Sequence, residues 1–229
     1  MEQRIRTFLA LSFQTETRKR ILEFLQGVQR PSVSPPSPPP APELPVKRKV
    51  GRPPKNRPEV QPDPGETKTI CESIKWVEPH NIHLTIKFWG DLHPSKVEEL
   101  KERLPDWLQP DPISYLISGP GAYPSLVNPR VVWLGIQDKT EGLARLFRAV
   151  ENLSHQLQIP LEAHPFSPHL TLGRIKNNNP PEDLTQRLQT QPWEPILEHV
   201  PEIVLYQSEL RHEGPFYTPW LKIKVPIES

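Results

Sequence analysis

The chain has 229 residues, with 28 Lys and Arg against 27 Asp and Glu, and a formal net charge of +1. This length can bury a sizeable core as one large domain or two small lobes, and the balanced charge gives no global attraction to nucleic acid. The single cysteine, Cys71, excludes a disulfide framework, and no apolar run approaches the roughly 18 residues of a membrane span. We therefore expect a cytoplasmic protein without a membrane segment.

Strands and helices are predicted in alternation along the chain, from the periods of their apolar residues. In chain order, we predict a strand over Arg4–Ser12, a helix over Thr15–Val28, strands over Trp76–Val77 and Ile82–Trp89 around a turn at Pro79–Asn81, a helix over Pro94–Leu104 that ends before Pro105, strands over Ile113–Ile117 and Arg130–Ile136 separated by a turn-rich segment at 119–124, a helix over Glu141–Leu157, a strand over His169–Ile175, a helix over Glu182–Gln189, and strands within Ile196–Ser208 and over Phe216–Val225. This order suggests a duplicated unit and an α+β fold with two lobes.

Proline is concentrated in one segment of the chain. Of its 32 prolines, 13 lie between Pro31 and Pro64, in a stretch without an aromatic residue. Such a stretch cannot bury enough apolar surface to offset the entropy of ordering it. We predict a disordered or polyproline-II insertion at 31–68.

Six positive charges and no acid occur within this insertion, at 47–57. The core Gly51-Arg52-Pro53 resembles an AT-hook, in which an extended backbone inserts Arg into the minor groove of DNA. Val50 stands where the hook has a basic residue, and a solvated basic linker is the alternative interpretation. Either interpretation predicts weak binding of DNA or RNA by 47–57.

The sequence His-Leu-Thr occurs twice, at 83–85 and at 169–171, each time inside an apolar run typical of a strand. Residues i and i+2 of a strand project from the same face, so each copy presents an imidazole beside a hydroxyl. One copy alone arises readily by chance and is more often a structural feature. Two copies in matching surroundings indicate a functional pair, because two imidazoles support acid–base chemistry near neutral pH.

Metal catalysis is the rival mechanism for these histidines. His80, His83 and His93 are close in sequence, as are His164 and His169, but no His-Glu-x-x-His or Cys-x-x-Cys spacing occurs. No acidic residue lies at strand spacing from either motif histidine. We therefore predict chemistry that requires neither a metal nor a cofactor.

The segments around both copies resemble the two motifs of the 2H phosphoesterases. Lys75–Asp91 and Phe166–Arg174 are most similar to the motifs of the RNA 2′,3′-cyclic phosphodiesterases, once described as 2′-5′ RNA ligases. The resemblance implies a two-lobed α+β fold whose antiparallel sheets form a central cleft carrying both motifs. It assigns 1–30 and 69–229 to a single domain of this type.

The resemblance also implies an activity, the hydrolysis of 2′,3′-cyclic phosphates at RNA ends or in small cyclic nucleotides to 2′-phosphates. His83 then protonates the leaving oxygen and His169 activates water, an assignment that the residues alone leave open. Thr85 and Thr171 are expected to donate hydrogen bonds to the nonbridging oxygens. By its place in the second motif, Arg174 resembles the phosphate-binding arginine of the family.

The direction in which two cationic side chains, Arg174 and Lys87, project depends on the local geometry of their strands. From a regular strand Arg174 would face away from Thr171, and a bulge near Gly173 is needed to return it to the motif face. Lys87 lies two residues after Thr85 and is expected on the motif face, where it meets the substrate backbone. A surface position is the alternative for both Arg174 and Lys87.

Three alternative functions remain open at this point. The resemblance is also compatible with a 2′-5′ RNA ligase-like activity and with another cyclic nucleotide phosphodiesterase activity. A nucleic-acid-binding module without turnover is the third, but binding alone does not need two titrating imidazoles. In every case we expect a monomer.

Overall fold

The computed structural model describes residues 4–30, 73–212 and 214–227. In chain order the strands and helices are β1 (Ile5–Leu11), α1 (Thr15–Gln29), β2 (Ile74–Trp76), β3 (Leu84–Leu92), α2 (Pro94–Trp107), β4 (Ser114–Pro124), β5 (Pro129–Gln137), α3 (Gly142–Gln156), β6 (His169–Ile175), α4 (Leu184–Thr190), β7 (Ile196–His199), β8 (Glu202–Arg211) and β9 (Gly214–Lys224). A 3₁₀ turn at Pro79–Asn81 precedes β3. The insertion predicted at 31–68, with its basic segment at 47–57, lies outside the described residues.

Two antiparallel sheets organise the strands. The four-stranded sheet has the order β3-β1-β8-β9, and the five-stranded sheet has the order β2-β6-β5-β4-β7. The two His-x-Thr motifs therefore lie in different sheets, because β3 is an edge strand of the first and β6 lies between β2 and β5 in the second. The predicted α+β fold, with two lobes built on antiparallel sheets, is confirmed.

The centre of the four-stranded sheet is β1, which pairs with both β3 and β8. Its residues from Phe8 to Leu11 are all buried. Full burial of one large aliphatic side chain stabilises a fold by roughly 1.5–3 kcal/mol. The buried strand β1 therefore holds the neighbouring motif strand β3 in place.

The helices pack on the sheets through apolar faces. Helix α2 contacts β1 and β9, and α4 packs on β4 with α1 beside it. Helix α3 buries Leu143, Leu146, Val150 and Leu153, which share one helical face. This face brings α3 into contact with β3 of one sheet and β4 of the other. None of the described helices has the length and apolarity that crossing a bilayer requires.

Two elements continue through residues that were expected to end them. Helix α2 continues past Leu104 and includes Pro105, because the burial of Leu104 and Leu108 holds its last turn in place. Strand β4 runs through the segment at 119–124 that was predicted as a turn. Its pairing with β5 shifts register between Ile117 and Pro120, so the glycines and prolines mark an irregularity within the strand.

Candidate active site

His83 is oriented by the 3₁₀ turn that precedes β3. Its Nδ1 lies 2.7 Å from the carbonyl oxygen of Asn81. A carbonyl can only accept a hydrogen bond, so Nδ1 donates, and Nε2 of the neutral ring keeps its lone pair. The Thr85 hydroxyl lies 3.1 Å from this Nε2. The buried amide of Asn81 donates to the carbonyl of Pro215 at 2.9 Å, which ties the turn to β9.

His169 is held in the same way at the start of β6. Its Nδ1 lies 2.9 Å from the carbonyl oxygen of Ser167 and donates to it. The ring of Tyr123 meets the imidazole edge-on, with 5.2 Å between centroids. Each imidazole is therefore anchored through Nδ1 by the carbonyl two residues earlier, which leaves Nε2 for proton transfer.

A bulge follows the threonine of the first motif. On β1, Ala10 pairs with Thr85 and Leu9 pairs with Lys87, so Ile86 has no partner. The extra residue reverses the alternation of side chains beyond it. Thr85 and Phe88 consequently share the exposed face, while Ile86 and Lys87 are buried.

This bulge makes the prediction for Lys87 wrong. Its side chain is 1% exposed and lies on the opposite side of β3 from Thr85. Its Nζ lies 2.8 Å from a carboxylate oxygen of Glu151 on α3. Lys87 therefore cannot contact a substrate in the cleft.

A bulge also follows the threonine of the second motif, and it places the cation Arg174 on the motif face. Trp133 pairs with Thr171 and Val132 pairs with Gly173, so Leu172 has no partner on β5. Arg174 is exposed, on the same face as Thr171. The bulge that the sequence required for Arg174 to reach the motif face is present.

Phe88 and Arg174 stand at the same offset, five residues after His83 and His169. The Phe88 ring is 42% exposed, and the guanidinium of Arg6 lies 4.7 Å from its centroid. One motif thus adds an aromatic surface to the candidate site and the other adds a positive charge.

Aromatic rings enclose His83. Phe8 packs against it with 4.9 Å between centroids, and Tyr217 meets it edge-on at 5.3 Å. Burial lowers the pKa of His83 from 6.5 to about 4, against the opposing effect of the hydrogen bond to Asn81, and the charge of Arg18 lowers it further. His83 is therefore a neutral base in the free protein at pH 7.

The two lobes meet at this site. Strands β3 and β6 contact each other although they share no backbone ladder. Burial raises the pKa of Tyr217 on β9, while the charges of Arg174 and Arg6 oppose the rise. The charge of Arg174 in one lobe therefore influences the pKa of Tyr217, whose ring packs against His83 in the other lobe.

Arg18 and Tyr217 lie at the candidate site although no motif in the sequence indicates them. Arg18 reaches from α1 to donate a hydrogen bond to the Pro79 carbonyl at 3.0 Å, beside the turn that orients His83. Three cations stand in succession at 18–20, and no pattern distinguishes Arg18 among them. Tyr217 lies far from both motifs in sequence, so only the pairing of the sheet brings it to the site.

His80 and His93, the histidines nearest His83 in sequence, have other surroundings. His80 is exposed on the 3₁₀ turn, and His93 caps α2 by accepting a hydrogen bond from the Ser95 amide at 3.3 Å. Within residues 4–30, 73–212 and 214–227, no three His, Cys, Asp or Glu side chains are grouped as metal ligands.

This fold and this motif pair define a family. The model of the 2′-5′ RNA ligase superfamily matches residues 72–211, and the chain belongs to that superfamily. A relative from Archaeoglobus fulgidus, named RNA 2′,3′-cyclic phosphodiesterase, is 35% identical over 146 residues, which are 63% of this chain and 80% of the relative. A relative of the same name from Methanothermobacter thermautotrophicus is 33% identical over 66% of this chain and 82% of its own length.

Solved structures share the fold. LigT of E. coli complexed with 3′-AMP superposes with a TM-score of 0.63 over 97% of this chain and 98% of its own, at 20% identity. TT0787 of Thermus thermophilus gives a TM-score of 0.61 over 98% of this chain and 100% of its own, at 23% identity. The two-lobed architecture is thus the one found in these proteins.

Proposed function

We propose that this protein hydrolyses the 2′,3′-cyclic phosphate at RNA ends, or in small cyclic nucleotides, to a 2′-phosphate. The observation that carries the proposal is the matched anchoring of His83 and His169 on strands of two lobes in contact. Relatives named RNA 2′,3′-cyclic phosphodiesterase, at 35% and 33% identity, support the same activity.

The two imidazoles transfer two protons in this reaction. Nε2 of one takes a proton from the attacking water, and Nε2 of the other gives a proton to the leaving ribose oxygen. The family resemblance assigns the first role to His169 and the second to His83. Since His83 is neutral in the free protein, the bound phosphate supplies the negative charge that stabilises its imidazolium.

Hydrogen-bond donors on both motifs stabilise the negative charge that develops on the nonbridging phosphate oxygens. Thr85 and Thr171 share the exposed faces of their strands with the histidines and donate to the nonbridging oxygens. Arg174 adds a charge-assisted donor from the second motif. The exposed ring of Phe88 offers a surface on which a base stacks. Neither of the two proton transfers requires a metal ion, because the proton donor, the proton acceptor and the groups that stabilise the developing charge are all side chains.

The remaining parts of the proposal rest on the sequence. We place residues 1–30 and 69–229 in one catalytic domain that acts as a monomer in the cytoplasm. The segment 31–68 is an insertion in this domain, and its basic part at 47–57 binds nucleic acid weakly.

The test is a short oligoribonucleotide that ends in a 2′,3′-cyclic phosphate, incubated with the protein in EDTA. Chromatography against standards that end in a 2′-phosphate and in a 3′-phosphate should show the 2′-phosphate product, and a variant with both His83→Ala and His169→Ala should form it at least about 100-fold more slowly. Binding of this RNA without turnover would indicate a binding module. Joined products with a 5′-hydroxyl oligoribonucleotide, in place of hydrolysis, would indicate a ligase.

A further inference from the structure

The buried ion pair of Lys87 has no role in the proposed chemistry. The Lys87 side chain is 1% exposed, and its Nζ lies 2.8 Å from Oε1 of Glu151 and 3.8 Å from Oε2 of Glu162. The contact with Glu151 is an ion pair without the geometry of a hydrogen bond. Buried ion pairs often add little net stability, because desolvation offsets their attraction. Stability alone therefore gives no reason for a lysine here.

The three charged groups come from different parts of the fold. Lys87 is the fourth residue after His83 in the first motif strand. Glu151 lies on α3, and Glu162 lies in the segment that connects α3 with His169. The cluster of Lys87, Glu151 and Glu162 thus links one motif strand to the chain that leads into the other.

The segment before His169 is fixed on α3 by further contacts. The Glu162 amide donates to Oε2 of Glu151 at 2.8 Å, so one carboxylate holds both the lysine and the segment. A few residues later, Phe166 stacks on Phe147 of α3, with 4.5 Å between centroids.

The same face of α3 is also fixed on β3 about one turn after Glu151. The indole nitrogen of Trp89 donates to the Ser154 hydroxyl at 2.8 Å, and this hydroxyl donates to the Val150 carbonyl at 2.8 Å. Helix α3 is therefore a shared support for the strand of His83 and for the approach to His169.

We propose that Lys87 is a positioning residue that sets the placement of the two catalytic imidazoles relative to each other. Strands β3 and β6 belong to different sheets, so no backbone ladder fixes their relative position. The bulge after Thr85 turns Lys87 inward and gives its ammonium access to both carboxylates. The role rests on the proposed function, because it acts through the alignment of His83 and His169.

The expected result of losing this link is a defect in turnover. Misplacement of a catalytic group by about 1 Å lowers rates by a factor on the order of 100. Lys87→Met should therefore lower kcat on a 2′,3′-cyclic nucleotide by about 10-fold to 100-fold, with KM and the affinity for the 2′-phosphate product changed by less than about twofold. Lys87→Arg should recover most of kcat, because it keeps the charge.

The control is Lys96→Met, the same substitution at a lysine that pairs with Glu99 on the exposed side of α2. Calorimetric titration with 2′-AMP counts the folded sites in every preparation, so kcat refers to folded enzyme only. A kcat of Lys87→Met within twofold of that of Lys96→Met would overturn the positioning role.

A second variant keeps the proposal testable if Lys87→Met does not fold. Glu162 is partly exposed, so Glu162→Gln removes its ion pair with Lys87 without burying a new group. It should lower kcat by about 2-fold to 5-fold at constant KM, with Glu99→Gln as the matched control. Equal kcat in these two variants would refute the link. Absence of turnover in the wild type would instead refute the proposed function.

Discussion

The lowered pKa of His83 makes the stability of the fold depend on pH. Its pKa is about 4 in the folded protein and 6.5 in the unfolded chain, so the unfolded chain binds more protons between these values. This contribution to the free energy of unfolding is present above about pH 6.5 and is lost as the pH falls towards about 4. If the whole difference between the two pKa values counts, the free energy of unfolding falls by about 2 kcal/mol between pH 7 and pH 5. Because the His83 ring is only half-buried, solvent screening reduces this fall to about 1 kcal/mol.

The measurement is urea unfolding at both pH values, followed by tryptophan fluorescence, for the wild type and two variants. His83→Gln should lose about 1 kcal/mol less than the wild type, and His80→Gln, at an exposed position in the same turn, should match the wild type. Burial raises the pKa of Glu198, which acts in the opposite direction, but Glu198 is present in all three proteins and cancels. An equal loss in the wild type and in His83→Gln would show that the pKa of His83 is not lowered in the folded protein.

Three further results are expected. Gly173→Ala should lower the free energy of unfolding by about 1–3 kcal/mol in urea titrations, because its Cβ would lie 2.7 Å from the Trp76 ring; Gly119→Ala, which has open space, should not. Arg174→Gln should lower kcat/KM for a 2′,3′-cyclic nucleotide by at least about 10-fold, and an unchanged value relative to Arg211→Gln would exclude Arg174 from the site. Replacement of 31–68 by a short linker should leave turnover of small cyclic nucleotides unchanged and weaken salt-dependent binding to long RNA, and lost turnover would mean that this segment belongs to the catalytic domain.

Much of the fold follows from patterns that are local in sequence. The strand predicted at His169–Ile175 matches β6, and the helix predicted at Thr15–Val28 differs from α1 by one residue. Both segments have clear apolar periods bounded by turn residues. Helix α2 continues past its predicted end, since buried contacts outweigh the unfavourable effect of Pro105 on an interior turn.

The exposed faces of the motif strands were only partly predictable. Period-two alternation places His83 and Thr85 on one face, and it fails at the bulge, where it assigned Lys87 to the wrong side. The bulge arises from pairing with β1, which is distant in sequence and leaves no local signal. The same limit applies to the enclosure of His83, because Phe8 and Tyr217 come from opposite ends of the chain.

The most direct test of the paired-histidine mechanism is turnover of adenosine 2′,3′-cyclic monophosphate in EDTA by the wild type and by His83→Ala, His169→Ala and the double variant. The paired-histidine mechanism predicts an active wild type, a loss on the order of 10²–10⁴-fold in each single variant, and a double variant little worse, because both imidazoles act in one proton relay. Near-normal turnover in either single variant, or activity that EDTA abolishes and a divalent ion restores, would contradict it.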